Sequence, residues 1–334
     1  MFENIQSVNM YVIYGYWEIL LSLLILEKHK DENNILLIVE NEIEENLLLR
    51  LEKNYNVLRF RIKPNKFLKF LTYYYRINYY FPKRLGKFLP NIKRIVSFSD
   101  QDVINRYFIK NKKYIDLFEH GVINYQTEFN GIKQKIKKII FKMEKPYGRN
   151  EYVKNIFLRG SGEIPEDIKN KVKIIDIKKI WNQLNLDSQS RILNIFGLDI
   201  EKLKLVETRD TILFTQPFSE DKIISENEKI ELYRKIIEKY NKNSLMIKVH
   251  PREKTEYDKI FKNVMLLEKG FPAELLLLID KLRFKKVVTI SSTAVSVFLK
   301  SSDIDFYGSE IHPKILNYFG NLDFFMKRNQ FIDR

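Results

Sequence analysis

Two apolar runs in the second half of the chain end abruptly on polar words. The run SLMIK leads into Val249-His250-Pro251-Arg252, and KKVVTI leads into Ser291-Ser292-Thr293. Short, β-branched, near-continuous apolar runs bounded by turn residues read as strands buried on both faces, the habit of parallel sheets. Helical periodicity follows each word, so both words are expected on the C-terminal rim of an open α/β sheet, where ligands bind. Serine hydroxyls and free backbone N–H groups at the expected start of the helix Thr293–Lys300 would form an anion site. An imidazole beside them makes a phosphate pocket. Each word also has a plain structural reading, His250-Pro251 as a strand end and Ser291-Ser292 as a helix cap.

The alternation of strand and helix runs through the whole chain. Strands are expected at Val8–Tyr14, Ile35–Val39, Val57–Ile62, Arg94–Ser97, Tyr114–Phe118 and Val172–Ile177 in the first half. In the second half they are expected at Thr211–Thr215, Leu245–Val249, Val264–Leu267, Lys286–Ile290 and Ile304–Tyr307. Helical patterns fall at Tyr16–His29, Asn41–Lys53, Asp102–Asn111, Glu226–Tyr240, Pro272–Lys281 and Thr293–Lys300. Such a layout predicts two doubly wound, Rossmann-like domains facing across a cleft. The polar stretch from Asp187 to Arg209 is the expected junction, giving residues 1–205, residues 206–315, and a tail 316–334 able to pack back as a helix. The apolar run Val8 to Leu26 is broken by Asn9, Glu18 and Ser22 and is expected to open a βαβ unit rather than to span a membrane.

Composition narrows the partners. At 334 residues with 45% hydrophobic and 13% aromatic content, the chain can bury two cores and is not a disordered protein. It has no cysteine, which excludes disulfides, thiolate metal sites and a cysteine nucleophile. A formal charge of +15 points to acidic partners. No acidic residue occurs from Lys53 to Ser99, where lysines and arginines alternate with Phe67, Phe70, Leu71, Tyr73, Tyr74, Tyr75, Tyr79, Tyr80 and Phe81. A second basic stretch runs from Lys133 to Lys145. Such mixing suits an anionic membrane surface, or a solvated helical face over an ordinary core stripe. No nucleic-acid-binding signature accompanies it, so a nucleic-acid partner is not expected.

A third polar word, Glu119-His120-Gly121, ends the strand YIDLF, and its carboxylate is a candidate general base. Two D-x-D matches, Asp100-Gln101-Asp102 and Asp303-Ile304-Asp305, open a helix and enter a strand, so no metal site and no required cofactor are expected.

The succession EHG, TQPFSED, KVHPRE, FPAE, ISST resembles the bacterial GT-B sialyltransferases of the lipooligosaccharide and polysialic acid families, glycosyltransferase family 52 among them. The resemblance implies an inverting, metal-independent glycosyltransferase that moves sialic acid from CMP-sialic acid to a hydroxyl of a cell-surface glycan or glycolipid. It implies an acceptor-side first domain and a nucleotide-sugar-binding second one. Residue by residue, Glu119 takes the place of the base, His250 meets the CMP phosphate, Ser291 and Ser292 ligate it further, and Glu274 holds the ribose. Pro251, Arg252 and Thr293 complete the donor pocket. His120 stands where the family carries an acidic residue, so Glu119, His120 and Asp221 all remain candidate bases. H-G followed by H-P and S-S also resembles CDP-glycerol glycerophosphotransferases, the alternative reading. The expected location is cytoplasmic and peripheral, on the inner face of the bacterial plasma membrane, with a homodimer left open.

Overall fold

The computed structural model describes residues 7–30, 32–39, 43–61, 69–120, 125, 147–160, 163–198, 200–267, 269–279, 282–299 and 301–321. Gly121, the stretch Lys133–Lys145, the span 62–68 and the tail beyond residue 321 lie outside them. The chain divides into two compact units, Met1–Ser188 and Gln189–Arg334.

The first unit is built on seven strands, all pairing in parallel: β1 (Val8–Ile13), β2 (Asn34–Val39), β3 (Asn56–Phe60), β4 (Ile92–Ser97), β5 (Ile115–Phe118), β6 (Val153–Leu158) and β7 (Val172–Ile174). Their order is β3-β2-β1-β4-β5-β6-β7, doubly wound about a switch between β1 and β4. Every residue of β1 and β2 is buried, as helices on both faces of a parallel sheet require. The helix Tyr16–Lys28 is buried almost all round, which explains its membrane-like run: it crosses the interior of an α/β layer. One core face joins Met10, Val12, Leu37 and Ile95 to Phe81, Leu85, Tyr107 and Phe108.

The second unit holds five parallel strands, β8 (Thr211–Phe214), β9 (Leu245–Lys248), β10 (Met265–Leu267), β11 (Lys286–Thr289) and β12 (Asp303–Phe306). The order β10-β9-β8-β11-β12 repeats the same winding, with its switch between β8 and β11. The helix Glu226–Ile237 starts at a capping box, Ser225 with Glu228, and packs Tyr233 and Ile236 onto Leu213, Ile247 and Val288. The α/β, doubly wound architecture expected from the sequence is therefore present twice.

Four of the differences from the expected elements bear on the polar words or the strands beside them. The expected helix Thr293–Lys300 is a six-residue 3₁₀ helix, Thr293–Phe298, so Ser291-Ser292 do not stand at the N-terminus of an α-helix. Its sequence TAVSVF is rich in β-branched residues that disfavour the α-helix. The helix expected at Pro272–Lys281 is confined to Glu274–Leu278. The strand Val172–Ile177 stops at Ile174, because Asp176 caps a helix, Ile177–Asn182, through the backbone N–H of Lys179. Strand β6 was not expected at all: its register, VKNIFL, carries a lysine and an asparagine among its apolar residues.

Candidate functional site

The second unit gathers three of the polar words at its switch point. The register pairs Thr289 with Phe214, and Phe214 with Lys248, so two residues further on Ser291, Gln216 and His250 stand level at adjacent strand ends. The carboxyl ends of strands beside a switch are where open α/β sheets bind ligands. His250 is half-buried, and its backbone N–H donates to Thr215 Oγ1 at 3.2 Å. Its Nδ1 accepts the backbone N–H of Arg252 at 3.2 Å, which places the proton of a neutral ring on Nε2. Burial, with the charges of Arg252 and Lys248, pushes the His250 pKa down to about 4. At neutral pH this residue is an uncharged Nε2–H donor.

Around it the loop is held rigidly. The Arg252 guanidinium grips the Asp221 carboxylate with two nitrogens, Nη2 at 3.0 Å from Oδ2, and both side chains remain about one-third exposed. Below, the fully buried Lys229 Nζ lies 3.0 Å from Glu220 and 3.2 Å from Glu226, with Glu253 at 4.0 Å. Tyr257 donates to Glu253 at 2.7 Å, and burial raises that carboxyl to a pKa of about 7. Ser292 Oγ accepts the N–H of Ala294 at 3.3 Å, which leaves its own proton to donate. The Ser291 hydroxyl meets no hydrogen-bond partner among the described residues. Glu274 opens its short helix and is partly exposed. Thr293 begins the 3₁₀ segment, and Pro251 follows His250 in the turn.

In the first unit the third word divides into two unlike residues. Glu119 is fully buried; its Oε1 accepts from Arg159 Nε and Nη2, both at 2.9 Å. Its Oε2 accepts from the Arg159 backbone N–H and from Tyr125 Oη, both at 2.7 Å. Arg159 in turn stacks 4.9 Å over the Trp17 ring, whose Nε1 donates to the Glu119 carbonyl. A carboxylate whose oxygens both accept from an arginine, with no exposed surface, is built as a strut between β5 and β6. His120 is 55% exposed, and its Nδ1 lies 2.9 Å from Oε1 of Glu18, a residue 3% exposed. That hydrogen bond raises the His120 pKa above its ordinary value.

Glu18 is the residue that sequence reasoning missed. Its signal was a lone carboxylate in the first turn of an otherwise apolar helix, a group that requires a partner once buried. Asp102, in the first D-x-D match, caps the helix Val103–Lys110 through the N–H groups of Ile104 and Asn105, and burial raises its pKa to about 6. Asp100 accepts the backbone N–H groups of Tyr147 and Gly148 at 3.0 and 2.9 Å. Both carboxylates serve local structure. Among the described residues no three His, Asp or Glu side chains gather as a metal cluster.

A family model, glycosyltransferase family 52, matches residues 50–315, which contain all three polar words. The chain belongs to glycosyltransferase family 52. An uncharacterized protein of Haemophilus influenzae is 41% identical over 217 residues, 65% of this chain and 69% of that one. Among solved structures, this family 52 member resembles the α/β-galactoside α-2,3-sialyltransferase of Photobacterium phosphoreum, with a TM-score of 0.57, 16% identity and 96% of each chain covered. It also resembles a sialyltransferase of Photobacterium damsela, with a TM-score of 0.55, 14% identity, and 86% and 71% of the two chains covered. At that identity the likeness establishes the shared GT-B fold. The family membership makes the chain a glycosyltransferase, for which a nucleotide-sugar donor and a glycan acceptor are the reactants.

Proposed function

We propose that this family 52 glycosyltransferase is an inverting, metal-independent sialyltransferase that moves sialic acid from CMP-sialic acid to a hydroxyl of a lipooligosaccharide or capsular glycan. The observation that supports the reading is the placement of His250 after β9 and Ser291 after β11, on either side of β8 at one rim, with a neutral Nε2–H donor whose Nδ1 is held by the Arg252 N–H. In the reaction the acceptor oxygen attacks the anomeric carbon while the bond from that carbon to the phosphate oxygen breaks, and CMP leaves with the electron pair. A phosphate monoester has a second pKa near 6, so the departing group needs hydrogen-bond donors more than a full proton. His250 Nε2–H and the hydroxyls of Ser291 and Ser292 are suited to that task, and Glu274 to accepting from the ribose.

The acceptor proton needs a base. Asp221 supports this role best, because it belongs to the same rim as His250 and is fixed by Arg252, the residue whose N–H orients the imidazole. A second reading, favoured by the exposed His120 ring on its buried Glu18, assigns the proton to His120. Glu119 is a positioning residue in both. Residues 1–205 are proposed as the acceptor side and residues 206–315 as the donor side.

Incubation with CMP-sialic acid, a galactose-terminated acceptor and a chelator tests the reading, with CDP-glycerol in a parallel reaction. Sialylated product and free CMP are expected, with Asp221→Asn losing turnover while retaining CMP affinity. Turnover of CDP-glycerol alone, or an absolute requirement for a divalent metal, would overturn it. Loss of turnover in His120→Asn but not in Asp221→Asn would select the second base.

A further inference from the structure

The helical stretch between β3 and β4 carries two opposite faces, and only one of them is used by the fold. Helix Lys69–Tyr75 runs through a π-helical turn, Arg76–Tyr80, into helix Phe81–Leu85 and a 3₁₀ segment, Gly86–Asn91. Ile77, Phe81, Leu85 and Phe88 are buried, with the Phe81 ring set edge-on to Phe60 of β3 at 6.1 Å. On the other side Leu71, Tyr74, Tyr75 and Tyr79 are 60%, 54%, 56% and 61% exposed. Their spacing, i, i+3, i+4 and i+8, makes one continuous apolar stripe. The Tyr75 and Tyr79 rings stack at 6.0 Å, which keeps the stripe flat.

Cations border that stripe. Lys83, Arg84 and Lys87 are exposed along the following turns, and Lys110 reaches over from the helix Val103–Lys110 to bond Asn78. Arg84 is pinned over the Phe60 and Tyr80 rings at 5.4 and 6.0 Å. No acidic residue interrupts the chain from Lys53 to Ser99.

We infer that this face, centred on Leu71, Tyr74, Tyr75 and Tyr79, is the surface by which the enzyme lies on an anionic phospholipid bilayer. Tyrosines present an apolar body with a polar tip and suit headgroup depth, and the bordering cations match anionic lipid. A second copy of the chain is a poor occupant, because a self-complementary contact would set the cations against each other. The inference rests on the proposed action on surface glycans only for its biological sense; the geometry stands without it.

The test is flotation of the full chain with vesicles of pure phosphatidylcholine and of phosphatidylcholine with phosphatidylglycerol. Binding confined to the anionic vesicles is expected. At about 1 kcal/mol per surface cation, K83Q/K87Q should weaken it about 25-fold. Y75S/Y79S should weaken it about tenfold by removing apolar area. The charge-matched control K178Q/K179Q, two exposed lysines of the helix Ile177–Asn182 in the same unit, should bind within about twofold of wild type, since charge away from the face is screened. Transfer to a water-soluble acceptor should be unchanged in all of these variants. Equal binding to neutral vesicles, unchanged binding by the two face variants, or equal loss in the control would overturn the inference. So would a concentration-dependent dimer abolished by Y75S/Y79S, or an oligonucleotide displacing the vesicles. Inactivity toward CMP-sialic acid with vesicle binding intact would defeat the functional reading alone.

Discussion

The two units present the same device, a doubly wound sheet with polar words at its strand ends, and use it for opposite purposes. At the end of β5 the carboxylate of Glu119 is drawn wholly inside and held by Arg159, and the neighbouring His120 is tied to the buried Glu18. Beside the β8/β11 switch Lys229 and its carboxylates lie buried below, while His250 and Ser291 stay half-buried at the strand ends. A polar residue at a strand end is thus not in itself a reacting group. What decides is whether any of its hydrogen-bonding capacity stays exposed once the fold has taken its share: Glu119 keeps none, whereas Asp221, though gripped by Arg252, remains about one-third exposed.

The largest expected effect tests the first half of that contrast. Arg159→Met leaves the Glu119 carboxylate buried without its cation, which should cost about 3–5 kcal/mol of stability. A clear fall in the melting temperature of the variant is expected. A variant that melts like wild type but has lost turnover would make Glu119 a reactant rather than a strut.

Next comes the donor side. His250→Asn should lower kcat/KM about 100- to 1000-fold, the usual effect of removing one preorganised donor, with little change in melting temperature. Ser291→Ala, which removes a hydroxyl without a hydrogen-bond partner among the described residues, should weaken CMP binding by about tenfold or less. It should do so without the stability loss expected from Ser292→Ala, whose oxygen holds the N–H of Ala294. Equal stability of the two serine variants would remove that distinction.

A subtler contrast lies in pH. The His250 pKa is lowered to about 4, so below about 6.5 the unfolded chain binds the proton that the folded one refuses, and this contribution to stability is lost as pH falls from about 6.5 to 4. The His120 pKa is raised, so its contribution is complete below about 6.5 and is lost as pH rises through the folded value. Following the four histidine C–H signals by NMR, with His120→Gln and His250→Asn for assignment, should show one ring titrating above its ordinary value and one below. Two rings titrating alike would erase the difference between the rims.

Much of this was legible in the sequence for a simple reason. Strands buried on both faces announce themselves as apolar runs, and the words at their ends are polar because they leave the sheet. His250, Ser291 and Asp221 could therefore be placed on one rim from the strand assignments alone. The fate of Glu119 could not, because its partners Arg159 and Tyr125 are distant in the chain and the first follows β6, a strand that a lysine and an asparagine disguise. The short 3₁₀ turn after Ser292 was hidden for a related reason: TAVSVF alternates as readily as it winds. Glu18 was visible as an anomaly in an apolar helix, but only the fold shows that the anomaly is answered by His120.

Whether the rim of the second unit holds a cytidine monophosphate through His250 is decided by calorimetric titration of CMP into wild type and His250→Asn. Cytidine-selective binding by wild type, with UMP weaker, and at least a tenfold loss in the folded variant are expected. CMP binding of equal strength in the two proteins, or no preference for CMP over UMP, would contradict it.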